Sequence, residues 1–147
     1  MTARLCDWAF IGAQTLDDCA SIAADFKQRA RRYNRTIKRA SYPFVLWRET
    51  EREAQEERRN ILDQIDREGV TNFARAMGIG SGSYDNCTLE MMALGAGAMP
   101  TIGTREQVAE KLAQLYRDGS DGMLLVFLSY LEDTVASKRT FSLCSNN

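Results

Sequence analysis

The sequence predicts an α/β fold with parallel strands, and three observations support that class. Short apolar runs alternate with amphipathic segments along the 147 residues. A capping box, in which Ser or Thr is followed three residues later by an acid or amide, opens each of three predicted helices. Strand, helix, strand, helix, loop, helix and strand follow one another, which is the alternation of a parallel sheet covered by helices.

The first unit is a strand followed by a helix. Residues 8–11 (WAFI) form an apolar run that stops at Gly12, and we read this run as a strand buried on both faces. Thr15 and Asp18 form the first capping box. Apolar positions then recur at spacings of three and four as far as Asn34, which predicts one amphipathic helix; they are Leu16, Cys19, Ala23, Phe26, Ala30 and Tyr33.

The second unit spans a strand-like stretch at residues 37–47 and a second helix. Pro43 interrupts the stretch and removes a ladder donor, so either the strand kinks there or its amino-terminal part is peripheral. Thr50 and Glu53 form the second capping box, and the helix is predicted to end at Gly69.

The third unit follows a glycine-rich region. Residues 70–99 are predicted to be a long loop with a short helix at 70–77, and loops of this length are usually functional or mobile. The third capping box, Thr104 to Gln107, opens a helix that ends at Gly119. Residues 123–128 then read as a strand buried on both faces. Residues 135–147 have no clear period and are expected to be a flexible tail.

Charge argues against nucleic acid or a membrane as partner. The chain has 19 basic and 20 acidic residues and a net charge of −1. One local exception places seven positive residues within thirteen, without an acid between them: Lys27, Arg29, Arg31, Arg32, Arg35, Lys38 and Arg39. We interpret this run as a solvated helix end that interacts favourably with the helix dipole, with nucleic-acid binding as the rival.

The residue inventory narrows the chemistry. Histidine is absent, which removes the commonest general base and the commonest zinc ligand. The four cysteines are scattered without a C-x-x-C pair, so no metal site is predicted. No residue is identified as a catalytic acid, base or nucleophile. The longest apolar run is far shorter than the roughly 20 residues of a membrane span, and the amino terminus lacks a signal sequence; we therefore expect a cytoplasmic protein.

The carboxyl-terminal third carries a specific pattern. It consists of TIGTREQVAEKL at residues 101–112, then Gly119, DGMLL at 121–125 and YLED at 130–133. This pattern resembles the carboxyl-terminal end of the bacterial-luciferase-like flavin monooxygenases. Residues 7–11 resemble that family's sixth barrel strand, and residues 45–50 resemble its seventh strand leading into the next helix. The resemblance covers about residues 2–133.

The resemblance implies a (β/α)8 barrel, of which this chain holds the last three β/α units. Residues 1–134 would be the carboxyl-terminal part of the barrel, and residues 135–147 a divergent tail. A complete barrel needs at least about 200 residues, so the chain is expected to be truncated.

The resemblance also implies a function. Family members use reduced FMN, supplied with a separate flavin reductase, to insert one oxygen atom from O2 into a small organic substrate. The alternative is a non-catalytic half-barrel that serves as an interaction or oligomerisation module, or a pseudogene product. Three parallel strands leave exposed edges and an uncovered face, which favours pairing with another chain, including a second copy.

The resemblance places substrate-pocket candidates at the carboxyl ends of the strands. They are Gln14, Tyr42, Phe44, Phe127 and Leu128. In the alkanesulfonate enzymes an arginine and a histidine face the substrate at the positions of Tyr42 and Phe44. Their replacement by aromatic residues disfavours a sulfonate and suggests a neutral or apolar substrate. The alternative interpretation is that Tyr42 and Phe44 are simply barrel-core aromatics. The cofactor-binding residues are left unassigned.

Overall fold

The computed structural model describes residues 2–13, 15–78 and 86–141. In chain order, the helices and strands are α1 (Thr2–Leu5), β1 (Trp8–Ile11), α2 (Leu16–Arg31), β2 (Lys38–Ser41), β3 (Pro43–Arg48), α3 (Glu51–Asp63), α4 (Arg67–Ala76), α5 (Asn86–Gly95), β4 (Met99–Thr104), α6 (Arg105–Arg117), β5 (Gly122–Met123), β6 (Val126–Phe127) and α7 (Tyr130–Phe141). The predicted α/β class with parallel strands is confirmed.

The strands form two three-stranded parallel sheets, ordered β1-β2-β5 and β4-β3-β6. Tyr42 alone separates β2 from β3, and its carbonyl accepts a hydrogen bond of 2.8 Å from the Met99 amide at the start of β4. The break falls next to Pro43, which lacks a backbone donor. The strand-like stretch is therefore interrupted at Pro43, as predicted. Its amino-terminal part, β2, is the central strand of the first sheet and is not peripheral.

All three predicted capping boxes are present. In each, the threonine hydroxyl accepts from the amide three residues on, and that residue's side chain accepts from the threonine amide. The amide-to-hydroxyl distances are 3.1 Å for Asp18 to Thr15, 3.2 Å for Glu53 to Thr50 and 3.3 Å for Gln107 to Thr104. Local side-chain chemistry thus sets where α2, α3 and α6 begin.

The predicted helix end at Gly69 is wrong. Helix α3 ends at Asp63, and the Asp66 carboxylate then accepts a 3.0 Å hydrogen bond from the Gly69 amide as the N-cap of α4. Gly69 therefore lies in the first turn of a second helix. An aspartate three residues before a glycine is an N-cap signal that outweighs the glycine here.

Much of the predicted loop at residues 70–99 has regular structure. Helix α4 occupies 67–76, α5 occupies 86–95 and β4 begins at Met99, while residues 79–85 lie outside the described part. Strand β4 contains Pro100 and Gly103, which are poor strand formers. Its six residues pair in register with all of β3, so tertiary pairing stabilises a strand that its own sequence disfavours.

The last strand and the tail also differ from expectation. In place of one strand at 123–128 there are two short pieces, β5 beside β2 and β6 beside β3. Leu124 and Leu128 are 54% and 46% exposed, so the segment is not buried on both faces. Helix α7 continues to Phe141 through the beginning of the predicted tail, and residues 142–147 lie outside the described range.

Strand β1 is buried on one face, which corrects the expectation of two. Ala9 and Ile11 are buried and pack in clusters with residues of α2, including Cys19, Ala23 and Ala30. Trp8 and Phe10 point the other way because side chains alternate along a strand, and they are 48% and 55% exposed.

Within the described ranges, no helix is long and apolar enough to cross a membrane. The same residues contain no group of three or more potential metal ligands.

Candidate functional site

One face of the first sheet carries large apolar side chains that no helix within the described residues covers. We call it the open face and define it by Trp8, Phe10, Lys38, Ala40, Tyr42, Gly122 and Leu124. The opposite face packs on helices, because Ile11 and Met123 contact a cluster that contains Leu115 of α6. Alternation along β1, β2 and β5 then places the defining residues together on the other side.

Contacts within the open face confirm that its strands present one continuous surface. The Trp8 ring lies 3.4 Å from the position that a Cβ on Gly122 would take, so the ring covers β5 from across β2. The Lys38 ammonium lies 5.4 Å from the centroid of the same ring, within cation–π distance.

Tyr42 marks the carboxyl-terminal limit of the open face. Its ring centroid lies 5.0 Å from that of Phe10, with the rings tilted by 50°. Tyr42 also packs against a buried cluster that joins β3, β4, α3 and α5: Phe44, Leu46, Ala54, Leu94, Ala98 and Ile102. At the carboxyl ends of its strands, the open face therefore borders residues of α3 and α5, which we call the wall.

A tight turn after α5 meets the end of β1. Ala96 and Gly97 have positive φ angles of 53° and 96°, a left-handed backbone that favours glycine at the second position. The Gly97 carbonyl oxygen lies 3.5 Å from where a Cβ on Gly12 would stand. Gly12 thus allows the backbone of the α5 turn to approach β1 closely at this edge.

The structure places the predicted pocket residues in different environments. Gln14 lies outside the described residues. Tyr42 and Phe44 are brought into one cluster, but Phe44 is 1% exposed and belongs to its core. Phe127 is half-buried on β6 opposite Val45, and Leu128 follows it at the surface. Tyr42 is therefore the candidate that both touches the open face and contacts the wall.

Sequence reasoning missed Trp8, Phe10 and Leu124 as parts of this surface. The signal was the alternation of Trp8 and Phe10 with the smaller Ala9 and with Ile11. A run of four apolar residues is read equally well as a strand buried on both faces, because periodicity cannot show whether anything covers the second face.

A second group of aromatic and cationic side chains lies at the carboxyl end of β3. The Arg105 guanidinium carbon is 5.2 Å from the Trp47 ring centroid, and Arg48 Nη1 donates a 2.8 Å hydrogen bond to the Trp47 carbonyl. The indole Nε1 of Trp47 is buried and has no hydrogen-bond partner among the described residues. A buried donor without an acceptor is unusual in folded proteins.

The electrostatics suit binding more than proton transfer. Burial raises the pKa of the Cys19 thiol, and the Asp18 and Asp118 carboxylates raise that pKa further. Cys19 is therefore a protonated core residue at neutral pH and not a nucleophile. The open face, made of aromatic and aliphatic side chains with one lysine, is suited to holding a flat apolar ring.

Comparison with known proteins agrees with this arrangement. The sequence model of the family described as luciferase-like monooxygenase matches residues 1–122. An FMNH2-dependent dimethylsulfone monooxygenase of Pseudomonas fluorescens (strain Pf0-1) is 30% identical over 90% of this chain and 39% of its own length. The corresponding enzyme of Pseudomonas putida is 28% identical over the same shares. The chain thus spans about two fifths of the length of these relatives.

Solved structures support the same fold. A riboflavin lyase with modified FMN and riboflavin matches 91% of this chain and 37% of its own, with a TM-score of 0.72 and 21% identity. A long-chain alkane monooxygenase matches 85% and 33%, with a TM-score of 0.65 and 22% identity. The match of the family model to most of the residues, together with the parallel α/β fold, shows that this chain belongs to the luciferase-like monooxygenase family.

Proposed function

We propose that residues 1–134 are the last three β/α units of a (β/α)8 barrel that acts as an FMNH2-dependent monooxygenase. The observation that carries this proposal is the open face. In a closed barrel the strand side chains opposite the helices line the interior, and here that side presents Trp8 and Phe10 to solvent, with Tyr42 half-buried beside them. The remaining strands come from other residues, either of a longer polypeptide or of a second chain.

The residues present fit a flavin. An isoalloxazine ring is flat and largely apolar, and the aromatic pair of Phe10 and Tyr42 at the carboxyl end of the open face offers a matching surface. Reduced FMN, when bound, supplies the electrons that activate O2. The protein residues orient the ring and exclude water from it.

The pocket composition favours a small neutral substrate. Tyr42 is the aromatic side chain that extends from the wall to the open face. Phe44 shapes the pocket indirectly, because its buried ring supports α5. No arginine or histidine stands at either position, so a sulfonate would lack a counter-charge. The dimethylsulfone named for the relatives is neutral, which agrees with this class. O2 and a flavin reductase complete the reaction as co-substrate and partner.

Complementation tests the proposal. Two proteins are compared. One is the 147-residue chain alone, and the other is a fusion in which this chain follows the amino-terminal part of the Pseudomonas fluorescens enzyme, up to the start of the matching region. Each protein is assayed for retained flavin and for conversion of dimethylsulfone with FMN, NADPH and a flavin reductase. We expect the chain alone to give no turnover and the fusion to bind FMN and turn over.

A matched pair of variants makes the test specific to the open face. In the fusion, Phe10→Asp should abolish flavin retention, whereas Phe73→Asp on α4, a residue 41% exposed, should leave it intact. A folded fusion that binds no flavin would refute the proposal. If the chain alone then forms a stable oligomer, the interaction-module interpretation would replace it.

A further inference from the structure

A cavity of about 660 Å³ lies at the other end of the strands from the candidate site. Its lining includes Thr36 and Ile37, which precede β2, and Ser120 and Asp121, which precede β5. The carboxyl ends of α2 and α6 form its sides. The cavity therefore opens at the amino ends of parallel strands, remote from the carboxyl ends where barrel enzymes place their chemistry.

The cavity is strongly cationic. Five basic side chains and one carboxylate line it: Lys27, Arg31, Arg35, Arg39, Arg117 and Asp121. Arg35 is already paired with Asp7 at 2.6 Å, and Arg117 is paired with Glu110. In the part of the chain that the structure describes, Lys27 and Arg31 take part in no ion pair. Lys27, Arg31 and Arg39 therefore face the cavity with only Asp121 opposing them.

Arg39 is the unusual member of this set. It lies on β2, and its side chain is 4% exposed. Its Nε is buried and makes no hydrogen bond to any described residue. The nearest carboxylate oxygen, Asp121 Oδ2, is 4.0 Å from that Nε and already accepts a 2.9 Å hydrogen bond from the Arg39 backbone amide. A buried guanidinium is thus left short of acceptors.

Gly119 makes room for this guanidinium. The glycine has a φ of +91°, and a Cβ built on it would collide with Arg39 Nη2. Arg39 therefore lies directly against the backbone of the turn that follows α6. This packing fixes the guanidinium in the cavity wall.

Helix dipoles explain only part of the cluster. Arg31 and Arg117 lie in the last turns of α2 and α6, where the partial negative charge of a helix end favours cations. Arg39 is on a strand and gains little from either helix end. Burial of a charge without full pairing is unfavourable, so a role in binding an anion explains Arg39 better than structural stabilisation does.

We propose that this cavity binds a tetrahedral oxyanion, the phosphate group of a small molecule or inorganic phosphate itself. Guanidinium groups bind phosphate through paired, charge-assisted hydrogen bonds, and Arg39 and Arg31 supply two of them with Lys27 as a third cation. The site is separate from the face proposed to hold the flavin and does not depend on that function.

The geometry favours a compact ligand over a nucleic acid. The basic run at 27–39 does not form one continuous strip, because Arg29 pairs with Asp25 at 2.8 Å and Lys38 lies over Trp8 on the open face. Four of its seven cations converge on the cavity: Lys27, Arg31, Arg35 and Arg39. A concave site of this volume fits one small molecule, whose anionic group the clustered cations would bind.

Calorimetric titration of the full chain with inorganic phosphate, at ionic strength held constant with chloride, tests the proposal. We expect one saturable site whose Kd rises at least about tenfold in Arg31→Gln and in Arg39→Gln. Arg29→Gln removes the same charge from the same helix outside the cavity, and its Kd should stay within about twofold of the parent value. Circular dichroism verifies that each variant is folded. Because Arg31 is exposed, Arg31→Gln should fold normally and still tests the proposal if Arg39→Gln unfolds.

Further titrations distinguish the sources of the anion. Tighter binding of glycerol 3-phosphate than of inorganic phosphate would identify a phosphorylated metabolite, and the reverse order would identify free phosphate. Absence of saturation would overturn the proposal. Equal weakening in Arg29→Gln would also overturn it, because the effect would then be general charge screening. Salt-dependent binding of a short oligonucleotide with no phosphate binding would assign the cluster to nucleic acid.

Discussion

Phe44 on β3 and Phe10 on β1 have opposite surroundings. Phe44 is 1% exposed inside the cluster that joins β3 to α3 and α5, whereas Phe10 is 55% exposed on the open face. We expect Phe44→Ala to lower the free energy of unfolding by about 3–5 kcal/mol, because truncation leaves a cavity in packed surroundings. Phe10→Ala should change it by about 0.5 kcal/mol or less. Urea unfolding of both variants measures the difference, and equal losses would mean that Phe10 is buried in solution.

Glu53 gives the molecule a defined acid sensitivity. The side-chain hydrogen bond from Thr50, followed by that from the Thr50 backbone, holds the pKa of the Glu53 carboxyl below its ordinary value. The ionised form is therefore favoured in the folded state. Its stabilisation is fully present above the unfolded pKa of about 4.3 and is lost as the pH falls through the lower folded pKa.

Glu53→Gln should therefore reduce the acid dependence of stability below about pH 5. The unfolding midpoint temperature measured between pH 7 and pH 3 tests this expectation. Glu56→Gln, on the same helix but outside the capping pair, is the control and should follow the parent curve. If the Glu53 and Glu56 variants behave alike, the capping hydrogen bonds do not perturb the carboxyl.

At the scale of elements, the starts of α2, α3 and α6 were predictable, whereas distant strand pairings were not. The boxes at Thr15, Thr50 and Thr104 lie within four residues of sequence, so their chemistry is visible without a fold. Strand β4 depends on pairing with β3, more than fifty residues away. Its own Pro100 and Gly103 are poor strand formers, so the local sequence does not predict a strand. The candidate site divides in the same way: Tyr42 was predicted from the family resemblance, while Trp8 and Phe10 required knowledge of what covers them.

Helix α5 is held by one such distant contact. Arg58 on α3 donates from Nε and Nη2 to the two carboxylate oxygens of Glu90, both at 2.6 Å, and the Glu90 side chain is 14% exposed. A bidentate, half-buried ion pair stabilises the folded state more than a surface ion pair does. We expect Glu90→Gln to cost about 1–2 kcal/mol and to increase amide hydrogen exchange in α5 more than in α6. Uniform acceleration in both helices would show that α5 is not a separate unit.

At the scale of the whole molecule, the open face leaves large apolar side chains uncovered. Trp8, Phe10 and Leu124 are each about half exposed. Contiguous apolar surface of this kind is typical of a site that another surface covers.

The chain alone should therefore bind the hydrophobic dye ANS and self-associate in a concentration-dependent manner. The double variant Phe10→Lys with Leu124→Lys should suppress both effects without lowering the unfolding temperature, because neither side chain belongs to a buried cluster. Leu131→Lys on α7, at a residue 78% exposed, is the matched control and should leave association unchanged. Light scattering coupled to size exclusion measures the mass of each variant. A parent chain that remains monomeric and dye-free at high concentration would contradict the exposure of the open face, since contiguous apolar side chains in water favour contact with other apolar surface.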